Sequence, residues 1–266
     1  MNPNCRKRMG AIRLENMKVI VQEEIAPAIF ELVLEGDMVE AMKAGQFLHL
    51  RVPDDAHLLR RPISISSIDK SKKQCHLIYR IEGSGTAIFS TLKTGDSIDV
   101  MGPQGNGFDL SDLDQRSRVL LVGGGIGVPP LLEVAKQLNE RGVEITTVLG
   151  FATKDAVILE AELSQYSQVF VTTDDGSYGI KGNVSAVIKE LDTEFDAVYS
   201  CGAPGMMKYI NQTFYEHPKA YLSLESRMAC GMGACYACVL KVPDSETVSQ
   251  RVCEDGPVFK TGTVVL

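Results

Sequence analysis

The sequence predicts a multidomain β plus α/β chain: an antiparallel β-barrel, a doubly wound parallel α/β domain, and a small cysteine-rich end. Three observations predict it. Residues 9–112 carry short apolar segments separated by Gly, Pro and Asp, the pattern of half-buried barrel strands. Residues 113–219 alternate continuous apolar runs with helix-length amphipathic stretches, which requires a parallel sheet with crossover helices. Residues 220–266 hold four of the seven Cys in a stretch too short to bury an adequate core, so a metal centre is expected to supply part of its stability.

The elements follow in chain order. Barrel strands are predicted at Ile29–Leu34, Gln46–Val52, Cys75–Ile81 and Ser97–Met101, with Arg60–Ser66 closing a further barrel segment. Gly83-Ser84-Gly85 leads into a helix over Thr86–Leu92, and the Gly102–Gly107 run reads as loop rather than core, ending the first domain. Val119–Val122, Glu144–Phe151, Gln168–Thr173 and Asp196–Cys201 read as strands buried on both faces. Val128–Arg141, Asn183–Leu191 and Met206–Tyr215 are the crossover helices.

Composition narrows the function. Of 266 residues, 44% are apolar and 23% charged, an ordinary globular mixture. A net charge of -7 lacks the basic footprint that nucleic acid or anionic lipid demands. No stretch approaches the ~18 apolar residues of a membrane span, and the basic start Met1–Arg8 lacks the apolar run of a secretory signal. A cytoplasmic chain is expected, and in a reducing compartment clustered Cys read as a metal site before they read as disulfides.

The cluster is Cys230-x4-Cys235-x2-Cys238-x14-Cys253. Four thiolates suit either two bridged irons or one zinc. Structural zinc sites usually present two short Cys pairs, whereas gaps of four and two with a distant fourth Cys form the plant-type [2Fe-2S] arrangement. Gly231, Gly233, Ala234 and Ala237 are small enough to let backbone N–H groups reach cluster sulfurs. Met228, Met232 and Tyr236 around them suit either a docking patch or local packing.

Gly123-Gly124-Gly125-Ile126-Gly127 lies between a strand and a helix opened by Pro129 and Pro130. Glycines there allow a pyrophosphate to approach the helix N-terminus, although the run is not the full G-x-G-x-x-G fingerprint and a tight structural turn is the plain alternative. Asp174 after the third strand, and Cys201 and Gly202 after the fourth, extend this rim, where open α/β sheets bind ligands. Asp155 beside Lys154 would repel a 2′-phosphate, which favours NADH over NADPH. In the barrel, Arg61 with Ser64, Thr86 and a helix start could together neutralise a pyrophosphate. The four His, His49, His57, His76 and His217, lack metal-ligand spacing, and no catalytic triad or carboxylate dyad is evident.

The order of these parts, R-P-x-S, G-x-G-T, glycine loop, C-G-x-P and C-x4-C-x2-C-x14-C, resembles the ferredoxin-NADP reductase superfamily throughout the chain. Within it the string Glu225 to Cys238 is most similar to the electron-transfer subunits of type B dihydroorotate dehydrogenase, the PyrK family. The resemblance implies FAD contacted by Arg61, Pro62, Ile63, Ser64, Ile78, Tyr79, Arg80, Gly85 and Thr86. It implies NAD(H) at Gly123, Gly124, Gly125, Gly127, Asp174, Cys201 and Gly202, and a [2Fe-2S] cluster on Cys230, Cys235, Cys238 and Cys253. Ile63 stands where the superfamily often has an aromatic that stacks on the flavin.

The implied activity is hydride exchange between NAD(H) and FAD coupled to one-electron transfer through the cluster. The implied partner is an FMN-containing dihydroorotate dehydrogenase catalytic subunit in a heterotetramer of two plus two, with electrons running from FMN to NAD+ in pyrimidine biosynthesis. Flavin subunits of other NAD(P)H complexes, such as ferredoxin-NAD(P) oxidoreductases and the diaphorase subunits of hydrogenases or sulfite reductases, share these motifs. A non-enzymatic zinc adaptor is the alternative of another class.

Overall fold

The computed structural model describes residues 12–191 and 194–266. Cys5, the basic start and the domain start set at residue 9 lie outside the described residues.

Six strands close a barrel: β1 (Arg13–Ala26), β2 (Ile29–Glu35), β3 (Phe47–Leu50), β4 (Arg61–Asp69), β5 (Gln74–Arg80) and β6 (Ser97–Gln104), in spatial order β1-β2-β5-β4-β3-β6. Every pairing is antiparallel. Closure removes free edges, and alternate residues such as Met17, Val19, Leu32, Leu34, Leu48 and Leu50 fill the interior. Helix α1 (Ser84–Phe89) follows β5 and buries Phe89 in the same core.

Two readings of the barrel change. Arg60–Ser66 does not close a strand; residues from Arg61 onward form the first part of β4, in which a bulge between Ile65 and Ser67 lets both Ile65 and Ile68 be buried. Part of the Gly102–Gly107 run is strand and core: β6 extends to Gln104, with Gly102, Pro103 and Gln104 buried. Its remainder forms a seam with the chain's end. The Asn106 side-chain amide donates to the carbonyls of Asp255 (3.0 Å) and Val258 (2.9 Å), and Asn106 Oδ1 accepts from the Val258 N–H (3.2 Å).

The second unit is built on a seven-stranded sheet. Its parallel strands are β7 (Arg118–Gly124), β8 (Glu144–Phe151), β9 (Gln168–Thr173), the two-residue β10 (Ile180–Lys181), β11 (Ala197–Cys201) and β12 (Ala220–Ser223). The spatial order β10-β9-β8-β7-β11-β12 places a topological switch point between β7 and β11. The helices are α2 (Pro129–Asn139), α3 (Glu160–Leu163), α4 (Ser185–Ile188) and α5 (Pro204–Thr213). Val119 and Leu121 face α2, while Leu120 and Val122 face the core of α4 and α5, so β7 is apolar on both sides as its sequence requires. The Glu133 carboxylate on α2 accepts the Ile68 N–H of β4 at 2.9 Å, fastening sheet to barrel.

The cysteine-rich end carries a short hairpin, β13 (Val239–Lys241) with β14 (Ser249–Arg251). It then returns as β15 (Val258–Lys260), which pairs antiparallel with β12 and becomes the sheet's last strand. The boundary set before residue 220 therefore falls ahead of two strands that belong to the sheet.

Candidate functional site

Two cavities adjoin at the seam between barrel and sheet, and the thiol cluster lies in the segment that begins with Glu225, which lines both. The first cavity, ≈ 390 Å³, is lined by Arg61, Pro62, Ile63 and Ser64 of β4, Ile78, Tyr79 and Arg80 of β5, and Gly85 and Thr86 of α1. The barrel residues singled out from the sequence thus line one surface, because β4 and β5 are hydrogen-bonded neighbours. Glu82, Gly83, Ser84, Ile126 and Glu225 join them. No sequence pattern marks Glu82, Ile126 reads only as part of the glycine run, and Glu225 reads as part of the cysteine string.

Local chemistry explains the residue types. A Cβ on Gly85 would sit 2.7 Å from Arg61 Nε, so glycine lets the guanidinium lie against the start of α1. Arg61 Nη1 also donates to the Leu59 carbonyl at 2.6 Å. Thr86 Oγ1 accepts the N–H groups of Glu82 (3.0 Å) and Gly83 (3.2 Å), which fixes the approach to the helix. The Tyr79 ring stacks on Phe30 and its hydroxyl accepts from Gln22 Nε2 at 2.8 Å; burial pushes that hydroxyl up to about 12. Ile63 presents an aliphatic wall to this cavity.

The second cavity, ≈ 630 Å³, lies at the carboxyl ends of the sheet strands and includes Gly124, Gly125, Gly127, Asp174 and Gly202. Gly150, Phe151, Asn183, Pro204 and Met206 also line it. Around the switch point the two loops touch backbone to backbone: a Cβ on Gly127 would stand 2.5 Å from the Cys201 carbonyl carbon. Two predicted residues fall outside the lining. Gly123 lies within β7, where a Cβ would meet Val128 Cγ2 at 2.8 Å, so it serves strand-to-helix packing. Cys201 is buried at the end of β11, and burial drives its thiol far up.

Arg80, Glu82, Ile126 and Glu225 line both cavities, which therefore adjoin. Glu225 opens into this junction, and its carboxyl is raised by desolvation first and by the Glu82 charge second, against the opposing pull of Arg80.

The four cysteines form two pairs. Cys238 and Cys253 are buried with their sulfurs 3.3 Å apart. Cys230 Sγ accepts the N–H groups of Met232 (3.4 Å), Ala234 (3.3 Å) and Cys235 (3.4 Å), and Cys253 Sγ accepts the Gly233 N–H at 3.2 Å. Hydrogen bonds from the Cys230 and Ala237 backbone hold the Cys235 thiol down, at about 7. Burial pushes Cys253 up to about 12.

This donor set fits a two-iron cluster, in which each tetrahedral iron takes two thiolates and surrounding N–H groups offset the negative charge. One zinc needs all four donors around a single point. Gly233 has φ +79, and its carbonyl accepts from Arg251 Nη1 at 2.7 Å. Met232 is 47% exposed and Tyr236 59%, with Arg251 over the Tyr236 ring, whereas Met228 packs on the core.

The chain matches three family models. They are the oxidoreductase FAD-binding domain over residues 16–108, the oxidoreductase NAD-binding domain over 121–212, and the iron-sulfur cluster binding domain of dihydroorotate dehydrogenase B over 225–265. Among curated proteins it is 86% identical over 255 residues to a dihydroorotate dehydrogenase B (NAD(+)) electron transfer subunit of Streptococcus pneumoniae, covering 96% of this chain and all of that one. It is 51% identical to the subunit of that name from Geobacillus thermodenitrificans, over 95% and 98% of the two chains. Among solved structures, an NADH-dependent reduced ferredoxin-NADP oxidoreductase matches at TM-score 0.84 and 31% identity, covering 94% of this chain and 90% of that one. A ferredoxin NADP+ reductase from Neisseria gonorrhoeae, at 17% identity and TM-score 0.65, shares the fold across 77% of this chain and 92% of its own. Thiol spacing, barrel motif, sheet topology and near-identity over almost the whole length converge, and the chain belongs to the family of dihydroorotate dehydrogenase B (NAD(+)) electron transfer subunits.

Proposed function

We infer that this chain carries electrons between NAD(H) and a partner subunit that oxidises dihydroorotate, and so serves pyrimidine biosynthesis. The observation that carries the reading is the paired thiol loop set beside two adjoining cavities. A bound flavin supplies the exchange between two-electron hydride transfer and one-electron transfer to an iron-sulfur centre. Everything else asked of the protein is placement.

Arg61 and the N–H groups opening α1 bind the FAD pyrophosphate, with Ser64 and Thr86 beside them. Pro62, Ile63, Ile78, Tyr79 and Gly85 wall the flavin, and Arg80 stands where the two cavities meet. Gly124, Gly125, Gly127 and Gly202 admit the dinucleotide to the rim at the switch point, where side chains would block it. Asp174 lies on that rim, and Asp155 beside Lys154 disfavours a 2′-phosphate, which favours NADH. The cluster ligands are Cys230, Cys235, Cys238 and Cys253.

The assignment by segment is flavin to 9–112, dinucleotide to 113–219 and cluster to 220–266, supported by the three domain matches. The relatives' name, electron transfer subunit of dihydroorotate dehydrogenase B, implies a catalytic partner subunit; that this partner contains FMN and assembles two plus two is what the family resemblance implies. Among the described residues no helix is long and apolar enough to cross a membrane, and a cytoplasmic site of action fits this chemistry.

Co-expression with a dihydroorotate-oxidising subunit tests the reading. The complex is expected to hold FAD, iron and acid-labile sulfide, and to reduce NAD+ on addition of dihydroorotate. Zinc in place of iron, or a flavin-free chain, overturns it.

A further inference from the structure

Between the flavin cavity and the thiol loop lies a buried polar pair that neither site has used. His49 on β3 is fully buried, and neither ring nitrogen has a hydrogen-bond partner. Gln104 at the end of β6 is 1% exposed; its Nε2 makes a long contact with the Met101 carbonyl at 3.4 Å, and its Oε1 has no partner. Buried polar groups without partners are costly, and His49 faces out of the barrel, opposite to Leu48 and Leu50, into the seam with the cysteine-rich end. An aliphatic residue at either position would serve packing better.

Both orphaned groups point to one place. A Cβ on Gly231 would collide with His49 Nδ1 and stand 2.8 Å from Gln104 Oε1. Gly231 follows Cys230 directly and has φ +68, a conformation that glycine adopts without strain. On the other side, His49 is the cross-strand partner of Pro62, which lines the flavin cavity. The imidazole thus lies between the wall of one cofactor site and the first ligand corner of the other.

We propose that His49 and Gln104 are positioning residues for electron transfer: a polar bridge from the barrel that seats the Cys230–Gly231 corner and tunes the reduction potential of the cluster bound there. This rests on the cluster reading given above. Dipoles around cluster sulfurs are a principal control on iron-sulfur potentials, and polar donors stabilise the more negative, reduced state. Removing a donor shifts the equilibrium towards the oxidised cluster, and removing an acceptor such as Gln104 Oε1 shifts it towards the reduced one.

The test uses the complete complex carrying His49→Phe, which keeps a ring without polar atoms, or Gln104→Leu, with His49→Gln as the polar control. Iron, sulfide and FAD are quantified, the cluster's g-values are read by electron paramagnetic resonance, and flavin and cluster midpoints are titrated separately. The expected result with His49→Phe is a loaded complex with an unmoved flavin midpoint, altered g-values and a cluster about tenfold harder to reduce at fixed potential, or about 59 mV for one electron, and Gln104→Leu moves the cluster midpoint the other way. His49→Gln recovers part of the shift. Unchanged g-values and cluster midpoint in a loaded His49→Phe complex overturn the proposal. Should His49→Phe fail to assemble, Gln104→Leu decides alone: because it removes an acceptor oxygen from the corner, a raised midpoint supports the bridge, and an unchanged or lowered one overturns it. A wild-type complex without iron overturns the cluster reading itself, whereas two irons with unresponsive variants overturn only the bridge.

Discussion

At the scale of single residues, the informative positions are those where the local environment leaves one chemistry workable. Gly127 is one: backbone atoms of Cys201 and Gly202 occupy the space of its missing side chain, and backbone yields far less than a side-chain tip. Gly127→Ala is therefore expected to weaken NADH binding by tenfold or more while FAD content stays unchanged, measured by titration of the purified complex. Glu225 carries a pH dependence whose sign follows from its raised carboxyl. The unfolded chain loses that proton at the ordinary carboxylate pKa and the folded chain only at higher pH. Stability therefore falls as pH rises between the two values, and the penalty is fully present above the folded one. Glu225→Gln should raise Tm at pH 8 and leave it nearly unchanged at pH 4; equal shifts at both would count against a strained carboxylate. Neither His49 nor Gln104 was legible as a site residue, because a lone polar residue in a strand reads as surface until its burial is known.

At the scale of elements, legibility followed length and burial. The spans of β8 and β9 emerge residue for residue as continuous apolar runs, because strands covered on both faces need them. By contrast β1, with its many exposed residues, blurs the alternation that marks a strand, and β12 and β15 are too short to show any period. The glycine run after Gly102 was misleading for a different reason: it is read as loop from composition, yet β6 continues to Gln104 and Asn106 ties the barrel to the C-terminal strand. Asn106→Ala leaves three half-buried backbone groups without their side-chain bonds, and at about 1 kcal/mol each should cost up to about 3 kcal/mol. Denaturant midpoints of the wild type and variant give the comparison. Hydrogen exchange at Val258 should quicken more than at β1.

At the scale of the whole molecule, three cores are arranged so that the barrel and the sheet enclose what a flavin and a dinucleotide require, and the thiol loop rests on both. Removing iron with a chelator should accelerate hydrogen exchange through residues 229–241 and leave β7, β8 and β11 protected, as mass spectrometry of the chelated chain would read. Uniform deprotection would mean that the metal holds the entire fold, as in small zinc modules. The pairing of β12 with β15 argues for the local outcome. Those neighbouring strands clamp the ends of residues 224–257, so the entropy of bringing distant chain segments together has been met by the sheet before any iron arrives. The ligands then search for metal at the high effective concentration of a tether, and a maturation factor delivering iron and sulfide would encounter a framework already folded, with only a short excursion left to order.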